Sequence, residues 1–146
     1  MPNKSLAAGA SLLIGASYVG VGIVGFFITG FDGFLRDTGE TLLFGFASIN
    51  PMHNLVHILI GAFLIVMTRF STPTNEGALM GVGLFYIVAF VIGVTAPDNL
   101  TIIAMNGAGD GENLVHIVTG VTALTAGLIS VGQSEAAARR SGLRTS

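Results

Sequence analysis

Residues 50–61 read Asn-Pro-Met-His-Asn-Leu-Val-His-Ile-Leu-Ile-Gly, and they open an apolar run that continues to Thr68, just before Arg69. Asn50 can cap a helix whose first residue is Pro51, because a proline at that position leaves no unsatisfied N–H. A bilayer core about 30 Å thick needs about 20 consecutive apolar residues in a helix. The run therefore predicts a helix that crosses a membrane.

Three further stretches have a similar length and composition: Leu6 to Phe31, Gly77 to Pro97, and about Asn113 to Gly132. Apolar residues make up 51% of the chain and charged residues 10%, whereas about a quarter of an ordinary soluble domain is charged. A soluble domain of 146 residues exposes too much surface to hide this apolar content. We therefore expect an all-α membrane protein with four transmembrane helices in one domain, residues 1–132. A polar, basic cytoplasmic tail, residues 133–146, is expected to follow.

The charges between the predicted spans indicate the orientation in the membrane. Four crossings place most basic residues on one side: Lys4, Arg69, Arg139, Arg140 and Arg144. The other side holds Arg36 together with Asp32, Asp37, Glu40, Asp98, Asp110 and Glu112. Because lysine and arginine are retained on the cytoplasmic side, we expect a multi-pass protein with both termini in the cytoplasm.

An eight-residue motif occurs twice. Residues 54–61 read Asn-Leu-Val-His-Ile-Leu-Ile-Gly, and residues 113–120 read Asn-Leu-Val-His-Ile-Val-Thr-Gly. Tyrosine and glycine also have the same spacing in the first and third spans. We interpret the chain as two repeated helical hairpins, 6–69 and 77–132. A repeat with two crossings keeps its orientation, so a pseudo-twofold axis along the membrane normal should relate the hairpins.

The residues of this motif resemble a known family. Asn50-Pro51-Met52-His53-Asn54-Leu55-Val56-His57, followed by Gly61 and Arg69, resembles the signature of a bacterial family of four-span integral membrane proteins. Asn113-Leu114-Val115-His116 with Gly120 is similar to its second motif. The family is known only as a domain of unknown function, and the resemblance extends from about Ala7 to Leu128. It implies a four-helix fold in the bacterial cytoplasmic (inner) membrane, and no particular activity, substrate or cofactor.

All three histidines lie in these two motifs. His53 and His57 are four residues apart and share a helix face, as do Glu112 and His116. Three imidazoles and a carboxylate form a ligand set for zinc, iron, manganese or copper. Alternatively, His57 and His116 can be the axial ligands of haem b, or each can bind a pigment.

A purely structural role is the other interpretation of these residues. Asn and His side chains form hydrogen bonds between membrane helices, and Asn54 can pair with His116 as Asn113 pairs with His57. Small residues at helical spacing predict that the second and fourth spans cross closely; they are Gly61, Gly120 and Gly127.

Two connecting segments carry weaker signals. Residues 40–48 are rich in Leu and Phe, which favours a short helix in the membrane interface that caps the histidines or contacts a partner. Residues 71–74 contain Pro73 and are typical of a turn between the second and third spans.

The composition limits the functions that remain. A net charge of −2 without a basic stripe excludes nucleic acid as a partner, and the absence of cysteine excludes thiol chemistry. Small size and spans without mid-membrane charges favour a structural or accessory subunit, which associates in the lipid bilayer with other membrane subunits or as a homo-oligomer. A metal, haem or pigment binding protein is the alternative. A transporter or channel is disfavoured because no charge lies at mid-membrane, and no enzymatic reaction is indicated.

Overall fold

The computed structural model describes residues 5–34, 41–95, 103–104 and 107–142. Its helices are α1 (Leu6–Thr29), α2 (Pro51–Met67), α3 (Thr72–Thr95) and α4 (Gly111–Gly142). A small hairpin of β1 (Leu42–Leu43) and β2 (Ala47–Ser48) lies between α1 and α2. The all-α class is confirmed. Helices α1, α3 and α4 are each long and apolar enough to cross a membrane, and α2 is a shorter apolar helix of 17 residues.

Side-chain caps fix where the helices begin. The side chain of Asn50 accepts a hydrogen bond from the backbone N–H of His53 at 2.8 Å, and Pro51 occupies the first turn, as predicted. At the start of α4, Asp110 Oδ1 accepts from the N–H of Glu112 at 2.9 Å. Because the first N–H groups of a helix have no partner within it, these caps determine the register of the residues that follow.

Helix α3 begins earlier than the predicted Gly77, so the predicted turn at residues 71–74 is wrong. Pro73 lies in the first turn of α3, where a proline is tolerated because its missing N–H would have been unpaired anyway. The Ser71 hydroxyl lies 2.7 Å from that of Thr74, and the Ser71 carbonyl accepts from the N–H of Asn75 at 3.0 Å. Ser71 therefore ends a very short connection between α2 and α3.

The segment before α2 is a β-hairpin, so the short helix predicted within residues 40–48 is wrong. Leu42 pairs with Ser48 and Leu43 with Ala47. Phe44 and Gly45 have φ angles of 52° and 72°, and two successive positive φ angles belong to a tight hairpin turn. Glycine adopts a positive φ readily. A helix across the same residues would need negative φ angles at both positions.

Glycines bring the helices together in two pairs. A Cβ atom added to Gly15 would lie 2.7 Å from the Gly61 carbonyl oxygen, and one added to Gly120 would lie 2.9 Å from that of Gly83. Gly61 therefore faces α1 and Gly120 faces α3, while Gly127 faces Met80 of α3. The predicted close crossing of the second and fourth helices is wrong, because these glycines serve the α1–α2 and α3–α4 contacts instead.

Burial of polar and apolar groups is reversed relative to a soluble protein. Phe27 is 86% exposed, whereas Asn54, Asn75 and Glu76 are buried. Near the start of α3, Glu76 accepts hydrogen bonds from the Ser130 hydroxyl at 2.7 Å and from that of Ser134 at 2.9 Å. An apolar exterior around hydrogen-bonded polar groups suits a lipid environment. Together with the spanning helices, it identifies the chain as a membrane protein.

Candidate metal centre

Four buried side chains converge near the starts of α2 and α4. His53 and His57 come from α2, and Glu112 and His116 come from α4. The Oε1 atom of Glu112 lies 3.0 Å from His53 Nε2, 3.4 Å from His57 Nε2 and 3.4 Å from His116 Nε2. The Nε2 atoms of His53 and His57 are 3.0 Å apart. The structure thus brings together all four residues that the sequence identified as candidate ligands.

The spacing of these atoms matches that of a coordination sphere. Four atoms that bind one ion tetrahedrally at about 2.0–2.1 Å lie about 3.4 Å from one another. Four of the six separations are 3.0 to 3.4 Å, and all four candidate ligand atoms lie within 4.8 Å of one another. An ion can therefore be held between them with small side-chain movements.

A backbone carbonyl fixes the tautomer of His53. Its Nδ1 atom lies 2.8 Å from the carbonyl oxygen of Ile103, and a carbonyl only accepts, so Nδ1 carries the hydrogen. In the neutral ring, Nε2 then presents a lone pair to the carboxylate oxygen of Glu112. Two lone pairs repel at 3.0 Å, so a cation between the atoms, or a proton on one of them, is needed. Metal-binding histidines commonly donate their second ring nitrogen to a carbonyl in this way.

Two tyrosines pack against the other two histidines. The Tyr18 ring meets His57 edge to face, with ring centres 4.7 Å apart, and the Tyr86 ring lies 5.3 Å from that of His116. The Tyr18 hydroxyl also donates to Thr119 Oγ1 at 2.8 Å. Sequence reasoning did not assign these tyrosines to the site. The available sequence signal for these tyrosines was the equal spacing of tyrosine and glycine in the first and third predicted spans.

The asparagines of the repeated motif have other partners. Asn54 Nδ2 donates to Thr29 Oγ1 at 2.9 Å, and Asn113 Nδ2 donates to the Gly107 carbonyl at 2.8 Å. The predicted Asn–His pairs are therefore wrong. The Nδ1 atoms of His57 and His116 are buried and have no hydrogen-bond partner among the residues that the structure describes. The Nε2 atoms of both histidines lie beside Glu112 instead.

Two cavities adjoin these side chains. The larger, about 360 Å³, lies between α1, the β-hairpin and α4, and we call it the hairpin cavity. Its walls include Val21, Phe44, Phe46 and Val115. The smaller, about 140 Å³, is lined by side chains of α2 and α3 together with His116. The candidate metal centre is therefore reachable from two sides by small groups.

Comparison with known proteins gives a family match. The model of a family described as Domain of unknown function (DUF4383) matches residues 9–129. This match confirms the family resemblance of the repeated motif. No curated protein and no solved structure matches the chain.

Proposed function

The chain belongs to the DUF4383 family, and we propose that it holds one divalent transition-metal ion between its helices. The ligands are His53, His57, Glu112 and His116. One observation carries this proposal: a carboxylate oxygen of Glu112 lies 3.0 to 3.4 Å from three imidazole nitrogens, and the four candidate ligand atoms lie within 4.8 Å of one another. Nitrogen and oxygen donors of this kind suit zinc, iron, manganese and copper.

Burial of the Glu112 carboxylate favours a cation beside it. A carboxylate that is removed from water is strongly destabilising unless a positive charge compensates it. Arg and Lys are absent from the described contacts of Glu112, whose partners are the three imidazoles. A divalent ion supplies the missing charge and uses the lone pairs of all three rings.

The same geometry favours a single ion over haem b or a pigment. The Nε2 atoms of His57 and His116 are both 3.4 Å from one oxygen of Glu112. A macrocycle ligated on both faces requires the space between these nitrogens, which the carboxylate occupies. Four protein ligands also close the coordination sphere, as in structural metal sites. The ion therefore acts as a link between α2 and α4 in a small accessory subunit of a membrane complex.

We also propose that all four helices cross the bacterial cytoplasmic membrane and that both termini are cytoplasmic. Helix α2 is about 25 Å long, which is at the short end of the range for a transmembrane helix. Its close packing against α1 at Gly61 supports a path alongside that helix. The distribution of lysine and arginine supports the orientation.

Corresponding contacts support a pseudo-twofold relation between the two hairpins. Gly15 meets Gly61 in the first hairpin, as Gly83 meets Gly120 in the second. The Tyr18 ring packs on His57 as the Tyr86 ring packs on His116. The residues of each contact in the first hairpin occupy positions of the sequence repeat equivalent to those in the second hairpin. This correspondence favours an arrangement of two similar units.

A metal-free structural role is the second candidate function. The hydrogen bond between His53 and the Ile103 carbonyl, and that between His53 and Glu112, already join α2 to residues outside it. In this role a protonated imidazole replaces the ion. The protein is then an accessory subunit whose polar cluster only holds its helices together.

Elemental analysis of the detergent-purified protein separates the two functions. We expect about one transition-metal ion per chain, and at least a tenfold loss of metal in both His57→Gln and His57→Leu. Ser130→Ala, which alters the distant hydrogen bond to Glu76, should keep the metal. Wild-type protein that stays metal-free after supplementation with zinc, iron, manganese and copper would refute metal binding. Retained stability in His57→Gln but not His57→Leu would then support the structural role, since glutamine preserves a hydrogen bond.

A further inference from the structure

The hairpin cavity combines apolar walls with a polar end. Val21 of α1, Leu43 of the β-hairpin and Val115 of α4 line it, and His57 and Glu112 reach it from the candidate metal centre. Binding sites for small molecules typically have mostly apolar walls and a few polar groups that orient the ligand. The hairpin cavity has this distribution.

One oxygen of Glu112 is unused. Every hydrogen bond and ion pair that the Glu112 carboxylate makes with the described residues involves Oε1. Its second oxygen, Oε2, has no such contact within that part of the chain, although the residue is only 3% exposed. A carboxylate oxygen can only accept hydrogen bonds, and Glu112 lines the cavity. A ligand with a hydrogen-bond donor therefore suits the polar end of the cavity.

The size and the walls of the cavity limit the rest of that ligand. A cavity of about 150 Å³ is large enough to hold benzene, so about 360 Å³ accommodates an aromatic ring with a short chain. The rings of Tyr18, Phe44 and Phe46 line the cavity, and aromatic rings pack well edge to face. Phe44 is 81% exposed at the tip of the β-hairpin, so the surroundings of the cavity are apolar as well.

We propose that the hairpin cavity binds a membrane-soluble phenol with an apolar substituent. Its hydroxyl group donates to Glu112 Oε2, its ring lies among the aromatic side chains, and its substituent contacts Val21 and Val115. This inference goes beyond the proposed metal function and does not depend on it. The imidazoles engage Oε1 whether they share an ion or a proton, so Oε2 is available in both cases.

Equilibrium dialysis of the full-length protein in detergent micelles tests the proposal, with empty micelles as the reference. The probe is 4-butylphenol, and the matched probe is 4-butylanisole, which has the same ring and chain but no hydroxyl hydrogen. We expect saturable binding of the phenol and at least tenfold weaker binding of the anisole, since a hydrogen bond to a charged group is lost. Uptake equal to that of empty micelles, or equal affinity for the two probes, would overturn the proposal.

Two phenylalanine variants of α1 locate the binding. Val21→Phe fills the cavity and should reduce phenol binding at least tenfold. Val24→Phe makes the same change at an exposed residue of the same helix that does not line the cavity, and it should leave the binding as in the wild type. Unchanged phenol binding in Val21→Phe would contradict a site in the hairpin cavity. The helical circular dichroism of both variants verifies that they fold.

The metal content of the same samples keeps the two proposals apart. A wild-type protein with bound metal and no saturable phenol binding overturns the cavity proposal alone. A protein that binds the phenol but contains no metal overturns the metal function and supports the cavity proposal.

Discussion

Asn50 fixes the position of both histidines on α2. Its buried side chain accepts from the N–H of His53 at 2.8 Å, and its backbone carbonyl accepts from the N–H of Asn54 at 3.0 Å. The cap thereby sets the residue at which helical geometry begins. His53 lies in the first turn of α2 and His57 in the second, so the cap contributes to their direction toward α4. A residue outside the candidate metal centre thus contributes to the geometry of that centre.

Replacement of this cap tests its contribution. Asn50→Ala should lower the free energy of unfolding by about 1 kcal/mol and by no more than about 2 kcal/mol. Asn50→Ser should retain most of the stability, because serine caps helices about as well as asparagine. Thermal unfolding of the two variants, followed by circular dichroism in detergent, measures the difference. Equal stability of Asn50→Ala and the wild type would show that the cap is not needed.

The helices pack as pairs because glycine lets their backbones approach. Gly15 and Gly61 meet between α1 and α2, and Gly83 and Gly120 meet between α3 and α4. Close backbone approach increases van der Waals contact, which contributes to helix association in lipid, where no hydrophobic force is available. At these positions a methyl group cannot be added without separating the helices.

A pair of alanine variants on α1 tests this packing. A Cβ atom at Gly15 would lie 2.7 Å from the Gly61 carbonyl oxygen, whereas one at Gly20 would have no atom within 4 Å. Gly15→Ala should therefore destabilise the protein by about 1–3 kcal/mol. Gly20→Ala should be neutral or stabilising by up to about 1 kcal/mol, because alanine is the better helix former. Denaturation in mixed micelles compares the variants, and equal effects would contradict backbone contact at Gly15.

Sequence periodicity was enough to predict the helices and the helix face that carries His53 and His57. It failed for features that depend on residues far apart in the sequence. His53 and His57 share a face because they are four residues apart, which is a local property. The partner of Gly61 depends on which helix lies beside α2, and the sequence did not specify that this partner would be Gly15. The Ile103 carbonyl is a backbone group without any sequence signal. The β-hairpin at Phe44 depends on left-handed backbone that its apolar composition did not indicate.

At the scale of the whole molecule, polar groups form two separate layers. The histidines and Glu112 lie at the starts of α2 and α4, while Glu76, Ser130 and Ser134 meet near the start of α3. Apolar side chains cover the outside between these layers. Such an arrangement fits a bilayer with one polar layer near each surface.

Reporter fusions test the orientation of the molecule. A fusion at Ser146 should report the cytoplasm, and a fusion within residues 98–110 should report the opposite side, because most basic residues lie on the side of the termini. Alkaline phosphatase and green fluorescent protein activities measure the two locations. The same compartment for both fusions would rule out an odd number of crossings between these points.

The pairwise packing of the helices has a consequence for biosynthesis. A ribosome completes α1 and α2 before α3 and α4, and the contact between Gly15 and Gly61 lies within this first pair. His53 and His57 are then in place while Glu112 is still to be translated. A chain that ends before α4 therefore carries two polar side chains without their carboxylate partner. The last helix, α4, supplies this partner when Glu112 is translated.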